Sequence, residues 1–199
     1  MIFPKTIAFR IKTWMVLFAM VETAFLKPEA QGKDLPVRLA LVVDAPSAST
    51  AADVLTAELS KRGGLQLLER AEMARVSREQ GLSVSNQDYL KLGQILGADG
   101  LLLLAYPLHP DGQPTKLRDV HLAGITMPVL CFNGTRDGLC TPEIMERVLT
   151  TVTAPWTMHW IEGADHSFRV LKSTGRDDAA VLAEVGDAAA EWVTHLSVR

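Results

Sequence analysis

Cysteine is the first shortage. The 199 residues contain two, Cys131 and Cys140, too few for a disulfide framework. Cys131 stands inside an apolar run and Cys140 in the loop after it, so two free thiols, one of them in the core, are expected. Charge of one sign is scarce as well: 20 Lys and Arg against 23 Asp and Glu leave a net charge of -3. With no Lys/Arg cluster interleaved with aromatics, the electrostatic basis for nucleic-acid binding is missing. The five histidines show no H-x-x-x-H spacing and no cysteine pair beside them, which argues against a zinc site. Gly93-Gln-Ile-Leu-Gly97 lacks the strand–turn–helix setting of a phosphate loop, and Gly63-Gly64 reads as a helix stop. No cofactor is expected.

Near the N-terminus the chain also lacks an apolar run long enough to span a bilayer. Trp14 to Val21 is closed by Glu22 and falls short of the required length. Lys5, Arg10 and Lys12 precede it, so residues 1–30 read as a signal-peptide-like segment with cleavage near Ala24 or Ala30. An amphipathic or irregular extension is the alternative. The first reading implies an exported, periplasmic chain and the second a cytoplasmic one. Neither leaves a membrane span in the mature chain.

What is present is a globular composition, 48% hydrophobic and 22% charged, with room for one domain over residues 36–199. Pro36 to Asp44 is a continuous apolar strand candidate, of the kind covered on both faces. Thr50 to Asp53 matches a capping box opening a helix that Lys61, Arg62 and Gly63-Gly64 finish. Leu65-Gln-Leu-Leu is a short strand, and helices are expected over 71–80 and from Asn86 to Leu96. Gly100 to Tyr106 is the most apolar strand, and Leu117 to Leu122 has room for one helical turn. The chain closes on a helix with Val181, Val185, Trp192 and Leu196 at helical spacing. Five strands alternating with helices predict an α/β fold: three layers, a mostly parallel sheet, helices on both faces.

The chemistry concentrates between Met127 and Phe168. Met127 to Asp137 reads as a strand breaking into a glycine-containing turn that ends on a carboxylate. Thr141-Pro142-Glu143 opens a helix with a hydroxyl cap, Pro at the first position and an acid in the first turn. Trp156 to His166 is a second strand and turn, ending on a histidine. Strand, acid, helix, strand, histidine is the closing order of an α/β-hydrolase, whose triad runs Ser, Asp or Glu, then His.

The resemblance extends beyond that order. Gly100-Leu-Leu-Leu-Leu-Ala-Tyr-Pro-Leu-His-Pro110, Lys116-Leu-Arg-Asp-Val-His-Leu122, Pro128-Val-Leu-Cys-Phe-Asn-Gly-Thr-Arg-Asp137 and His159-Trp-Ile-Glu-Gly-Ala-Asp-His-Ser-Phe168 make residues 99–196 similar to the C-terminal half of a dienelactone-hydrolase-like α/β-hydrolase. This implies that Asp137 is the triad acid and His166 the triad histidine, acting on a small ester-like substrate. Residues 36–104 have a different likeness. Leu65-Gln-Leu-Leu-Glu-Arg-Ala-Glu-Met-Ala-Arg-Val, Glu79-Gln-Gly81 and Leu92 to Leu102 resemble the N-terminal α/β region of curli-assembly-lipoprotein-like bacterial envelope proteins. That resemblance implies export and binding or assembly, not catalysis. The two overlap at residues 98–105, which suggests a composite chain joined in a buried strand.

The serine is the missing part. A nucleophile elbow needs G-x-S-x-G because only small residues permit its strained turn. The nearest match is Gly81-Leu-Ser83-Val-Ser85, which lacks the second glycine. It follows a stretch bearing Glu72, Arg75, Arg78 and Glu79 where an apolar strand is required. Ser47 and Ser49 follow the first strand but read better as helix caps, and Cys140 is a thiol close in sequence to Asp137. Asp165 reads as a turn residue and His159 as structural. The candidate catalytic set is Asp137, His166 and, weakest, Ser83. On this reading the protein is a hydrolase-like chain of weak or no activity, and the alternative is a non-catalytic exported envelope protein.

Overall fold

Five strands lie side by side in one parallel sheet, in the order β2-β1-β3-β4-β5. They come from a computed structural model that describes residues 36–43, 48–68, 75–76, 79 and 93–196, all within one unit running from Asp34 to Arg199. The strands are β1 (Val37–Val43), β2 (Leu65–Leu67), β3 (Gly100–Leu104), β4 (Val129–Gly134) and β5 (Trp156–Ile161), with helices α1 (Ser49–Ser60), α2 (Pro142–Leu149) and α3 (Asp178–Thr194). The α/β reading of the sequence holds, and every described strand pair is parallel.

The sheet is apolar on both faces, which is why its strands read as unbroken hydrophobic runs. Leu102 and Leu104 join Leu39, Leu41, Leu130 and Phe132 under α1 and α3. Leu101 and Leu103 join Ala40, Val42, Val129 and Cys131 under α2. All four leucines of β3 have 0% exposure, so each contributes roughly 1.5–3 kcal/mol of burial. The start of β3 is glycine for a packing reason. A Cβ on Gly100 would lie 2.8 Å from Trp192 and 2.9 Å from Leu196, at the end of α3.

Local signals were overridden in three places. The expected box from Thr50 to Asp53 does not set the start of α1: its N-cap is Ala48, which makes no side-chain cap bond. Ala48 is 1% exposed and sits in the core beneath α1 and α3, so packing fixes the cap two residues earlier. Thr141 precedes α2 without a hydroxyl cap bond, leaving Pro142 and Glu143 as the local signals there. The single turn expected over Leu117 to Leu122 lies instead at Leu122–Gly124. Cross-loop bonds account for the shift: the Arg118 N–H donates to the Leu108 carbonyl, and the Arg118 carbonyl accepts the Tyr106 hydroxyl. Of the helices expected over 71–80 and 86–96, residues 75–76, 79 and 93–96 are described; all are helical except Leu96, which lies in a turn. The segment 1–30 lies outside the described residues, and among those described no helix is long and apolar enough to cross a membrane.

α3 starts on a true cap, Asp177 accepting the Ala180 N–H at 2.8 Å. It is tied to β5 by Glu184, which bonds His159 at 2.8 Å and pairs with Arg176. Burial raises the Glu184 carboxyl, but the bonds from His159 and Arg176 outweigh it and hold the group below its ordinary 4.5. A carboxyl depressed on folding stabilises above its unfolded value, and that contribution is lost as pH falls through the folded value. The partners are each about 29% exposed, so solvent screening limits the effect to about 1 kcal/mol or less. Glu184→Gln is therefore expected to unfold slightly earlier in urea at pH 7. The difference from wild type should shrink as pH falls below 4.5 and vanish once the carboxyl is protonated in the folded protein; a gap that persists in strong acid would refute the ionic contribution.

Candidate functional site

The carboxyl ends of β4 and β5 are sewn together by backbone. Gly134, the last residue of β4, approaches the next loop so closely that a Cβ would lie 2.1 Å from the Ala164 carbonyl oxygen. No side chain fits there, so glycine is required for contact rather than for its dihedral freedom. Beyond it, the Thr135 N–H donates to the Ile161 carbonyl at 3.1 Å and the Arg136 N–H to the Ala164 carbonyl at 2.9 Å. The Gly163 N–H returns a bond to the Thr135 hydroxyl at 2.8 Å, and the Arg136 guanidinium reaches the Gly163 carbonyl at 3.1 Å. Two loops far apart in sequence thus behave as one piece.

That piece presents Asp137 and His166 to each other. The His166 Nδ1–H donates to Asp137 Oδ2 at 2.8 Å. The carboxylate is fully covered (side-chain exposure 0%) while the imidazole is 21% exposed, so the acid sits behind and the ring faces outward. Oδ2 also accepts the Asn133 amide at 2.9 Å, and Oδ1 accepts the Leu139 N–H at 2.8 Å. Three donors thus converge on one carboxylate. With Nδ1 committed as a donor, a neutral ring carries its lone pair on Nε2, and Nε2 makes no hydrogen bond among the described residues. An imidazole held this way can take a proton from any group that comes within hydrogen-bond reach of Nε2.

The loop carrying His166 is fixed by its own turn. Asp165 Oδ1 accepts the Ser167 N–H at 2.8 Å and the Arg169 N–H at 3.1 Å, the turn role its position suggests. Phe168 closes the turn at φ 61° and is 3% exposed; a buried aromatic in the left-handed region marks a tightly constrained backbone.

The remaining candidates fall away from this pair or outside it. Ser83 and Ser47 lie outside the described residues. Ser49 is exposed as the first residue of α1 and, contrary to expectation, does not cap it. Cys131 and Cys140 are both free and both buried. Burial, helped by the Asp137 charge and opposed by the Leu108 amide, pushes the Cys140 thiol up to about 12. That leaves it without the thiolate a nucleophile needs at neutral pH. His159 serves Glu184 on the α3 side. The residue that sequence reasoning passed over is Asn133, an amide inside an otherwise apolar strand four positions before the acid, which is the visible signal.

The strand order puts the sheet's switch point between β1 and β3, the kind of position where ligands collect in open α/β sheets, and β4, which leads to Asp137, is the next strand. A separate cleft of about 420 Å³, bordered by Val54, Glu58, Arg62, Leu182 and Asp187, lies between α1 and α3 and brings no group to the pair.

Compared with known proteins, residues 81–194, more than half of the chain, match the family described as alpha/beta hydrolase domain. The fold is similar to the esterase domain of a Rhodothermus marinus protein at a TM-score of 0.53 and 14% identity, covering 79% of this chain and 87% of that one. It is similar to the Paleococcus ferrophilus monoacylglycerol lipase (0.53, 13% identity, 82% and 96% covered). A thermophilic esterase from Thermogutta terrifontis gives 0.53 at 13% identity, with 82% and 92% covered. Identities this low speak for the fold alone.

The backbone seam makes a direct prediction. Gly134→Ala must push the two loops apart, an overpacking cost of about 1–3 kcal/mol or more. Urea denaturation should register it; wild-type stability would mean that the loops do not meet as described.

Proposed function

Because this chain belongs to the alpha/beta hydrolase domain family, we propose that Asp137 and His166 are the acid and base of a serine-hydrolase site with little or no acyl-hydrolase turnover. One observation carries the reading: a fully buried carboxylate 2.8 Å from an imidazole whose outer nitrogen is free to work. Asp137 fixes the tautomer and stabilises the ring once protonated, and His166 Nε2 is the atom that would accept a nucleophile's proton. Carboxylic esters of small size are the substrate class, in keeping with the esterases and the lipase of similar fold.

The reason for low turnover is the missing hydroxyl. The nucleophile belongs on a strand-to-helix turn upstream of the acid. The connection from β1 to α1 is such a turn by topology, and it reads Val43-Asp-Ala-Pro-Ser47-Ala48-Ser49, with no glycine. Gly81-Leu-Ser83-Val-Ser85 has one glycine of the two required. Losing the nucleophile from a serine hydrolase costs on the order of 10⁶ in turnover even with acid and base in place.

Hydrolysis of p-nitrophenyl acetate and of a dienelactone should match that of the His166→Ala variant. Turnover that drops 100-fold or more in His166→Ala would overturn the assignment of inactivity. Fluorophosphonate labelling with peptide mass mapping would then distinguish Ser47, Ser49 and Ser83, and Ser83→Ala would test the last.

A second reading concerns the front of the chain. The family match begins at residue 81, beyond β1, α1 and β2. We propose that residues 36–104 descend from an envelope-protein α/β region joined to a hydrolase back half within 98–105, and that the chain is exported. Cell fractionation and intact mass should find a periplasmic chain cleaved after Ala24 or Ala30. An uncleaved chain confined to the cytoplasm would contradict it.

A further inference from the structure

We propose that Asn133 is the positioning residue of the Asp137–His166 pair: its amide selects the carboxylate oxygen that meets the imidazole and locks it to the turn after β3. The inference rests on reading Asp137 and His166 as an acid–base pair. Asn133 is 0% exposed, near the end of a strand whose preceding residues are apolar. A buried amide is costly unless its groups are bonded. Here they are. Nδ2 donates to Asp137 Oδ2 at 2.9 Å and to the Tyr106 carbonyl at 3.1 Å. Oδ1 accepts the Tyr106 N–H at 3.3 Å and the Cys131 thiol at 3.3 Å. Donors face the oxygen and acceptors face the nitrogen, so the network itself sets the amide's orientation.

The oxygen that Asn133 holds is the one His166 reaches at 2.8 Å. Two N–H groups, one from β4 and one from the loop after β5, converge on Oδ2, while Oδ1 is left to Leu139. A carboxylate otherwise free to turn about its terminal torsion could present either oxygen. The amide removes that freedom, because Asn133 is itself anchored to both backbone groups of Tyr106. Ala105, the residue before, sits at φ 51°, a non-glycine left-handed backbone that persists only where its surroundings over-determine it. Its own N–H donates to the Phe132 carbonyl at 2.9 Å, so β4 grips this turn through Phe132 and Asn133 in succession. The acid, the amide and the β3 turn form one rigid unit.

NMR of the full isotope-labelled chain tests this without requiring turnover. In wild type, the low-field Nδ1 proton of His166 should show a cross-peak to the Asn133 side-chain amide protons, which should exchange slowly. Asn133→Leu, similar in volume but without a donor, should lose the low-field resonance. Cys131→Ala, which removes only a donor to Asn133 Oδ1, should keep it. Asp137→Asn reads the pair itself and should abolish the resonance. A resonance that survives Asn133→Leu in a folded protein overturns the positioning role and leaves the pair standing. One that survives Asp137→Asn, or is absent from wild type, overturns the pair. Should Asn133→Leu not fold, the wild-type cross-peak decides, and its absence counts against Asn133.

Discussion

The closeness of two backbones, Gly134 to Ala164, is the constraint from which the rest of the site follows. Side-chain hydrogen bonds alone would leave a carboxylate and an imidazole from different loops to find each other, at an entropy cost for every rotamer frozen. Here the chain path does the finding. Once the Gly134 Cα rests against the Ala164 carbonyl, the Thr135, Arg136 and Gly163 amides fall into register across the gap. Asp137 and His166 are then each only two or three residues from a fixed point. The parallel sheet supplies the frame: β4 and β5 pair over six residues, ending on Gly134 opposite Ile161. Both loops therefore start from the same level.

Much of this could be read in the sequence, for identifiable reasons. A strand buried on both faces has one requirement, uninterrupted apolar side chains, so Val37–Val43, Gly100–Leu104 and Val129–Gly134 announced themselves. Glycine and acid at the end of a strand likewise marked the turn that holds Asp137. Signals that depend on a competition between local and tertiary terms were less legible. The Thr50 box lost to the burial of Ala48, and the helical turn near Leu117 lost to bonds from Tyr106 and Leu108 across the loop. Asn133 escaped notice because its importance lies in partners 27 residues upstream and four downstream at once. No window along the chain holds both.

The composite ancestry proposed above asks only that the sheet accept a strand from either source. β1 meets β3 along five residue pairs, Leu39 opposite Gly100 through Val43 opposite Leu104. A parallel ladder reads backbone groups and apolar bulk, not the identity of particular side chains. A strand from another lineage satisfies such a slot if its residues are small or branched enough to lie under the flanking helices. What a borrowed strand does not bring is the chemistry at its end. The residues following a strand are specific to lineage, and an elbow for a nucleophile belongs to them rather than to the ladder.

Asp137 and His166 have a structural role besides any chemical one. Asp137 has a fully buried carboxyl group that accepts from three donors, Asn133, Leu139 and His166. Removing one partner of a buried, hydrogen-bonded charge costs on the order of 3–5 kcal/mol, a large share of the stability of a domain this size. Replacing His166 alone strips a donor from that carboxylate. Replacing Asp137 alone leaves the buried Asn133 amide and the part-buried Leu139 N–H short of their acceptor. Neither residue can be exchanged singly at small cost. The pair is thus part of what holds the loops after β4 and β5 together.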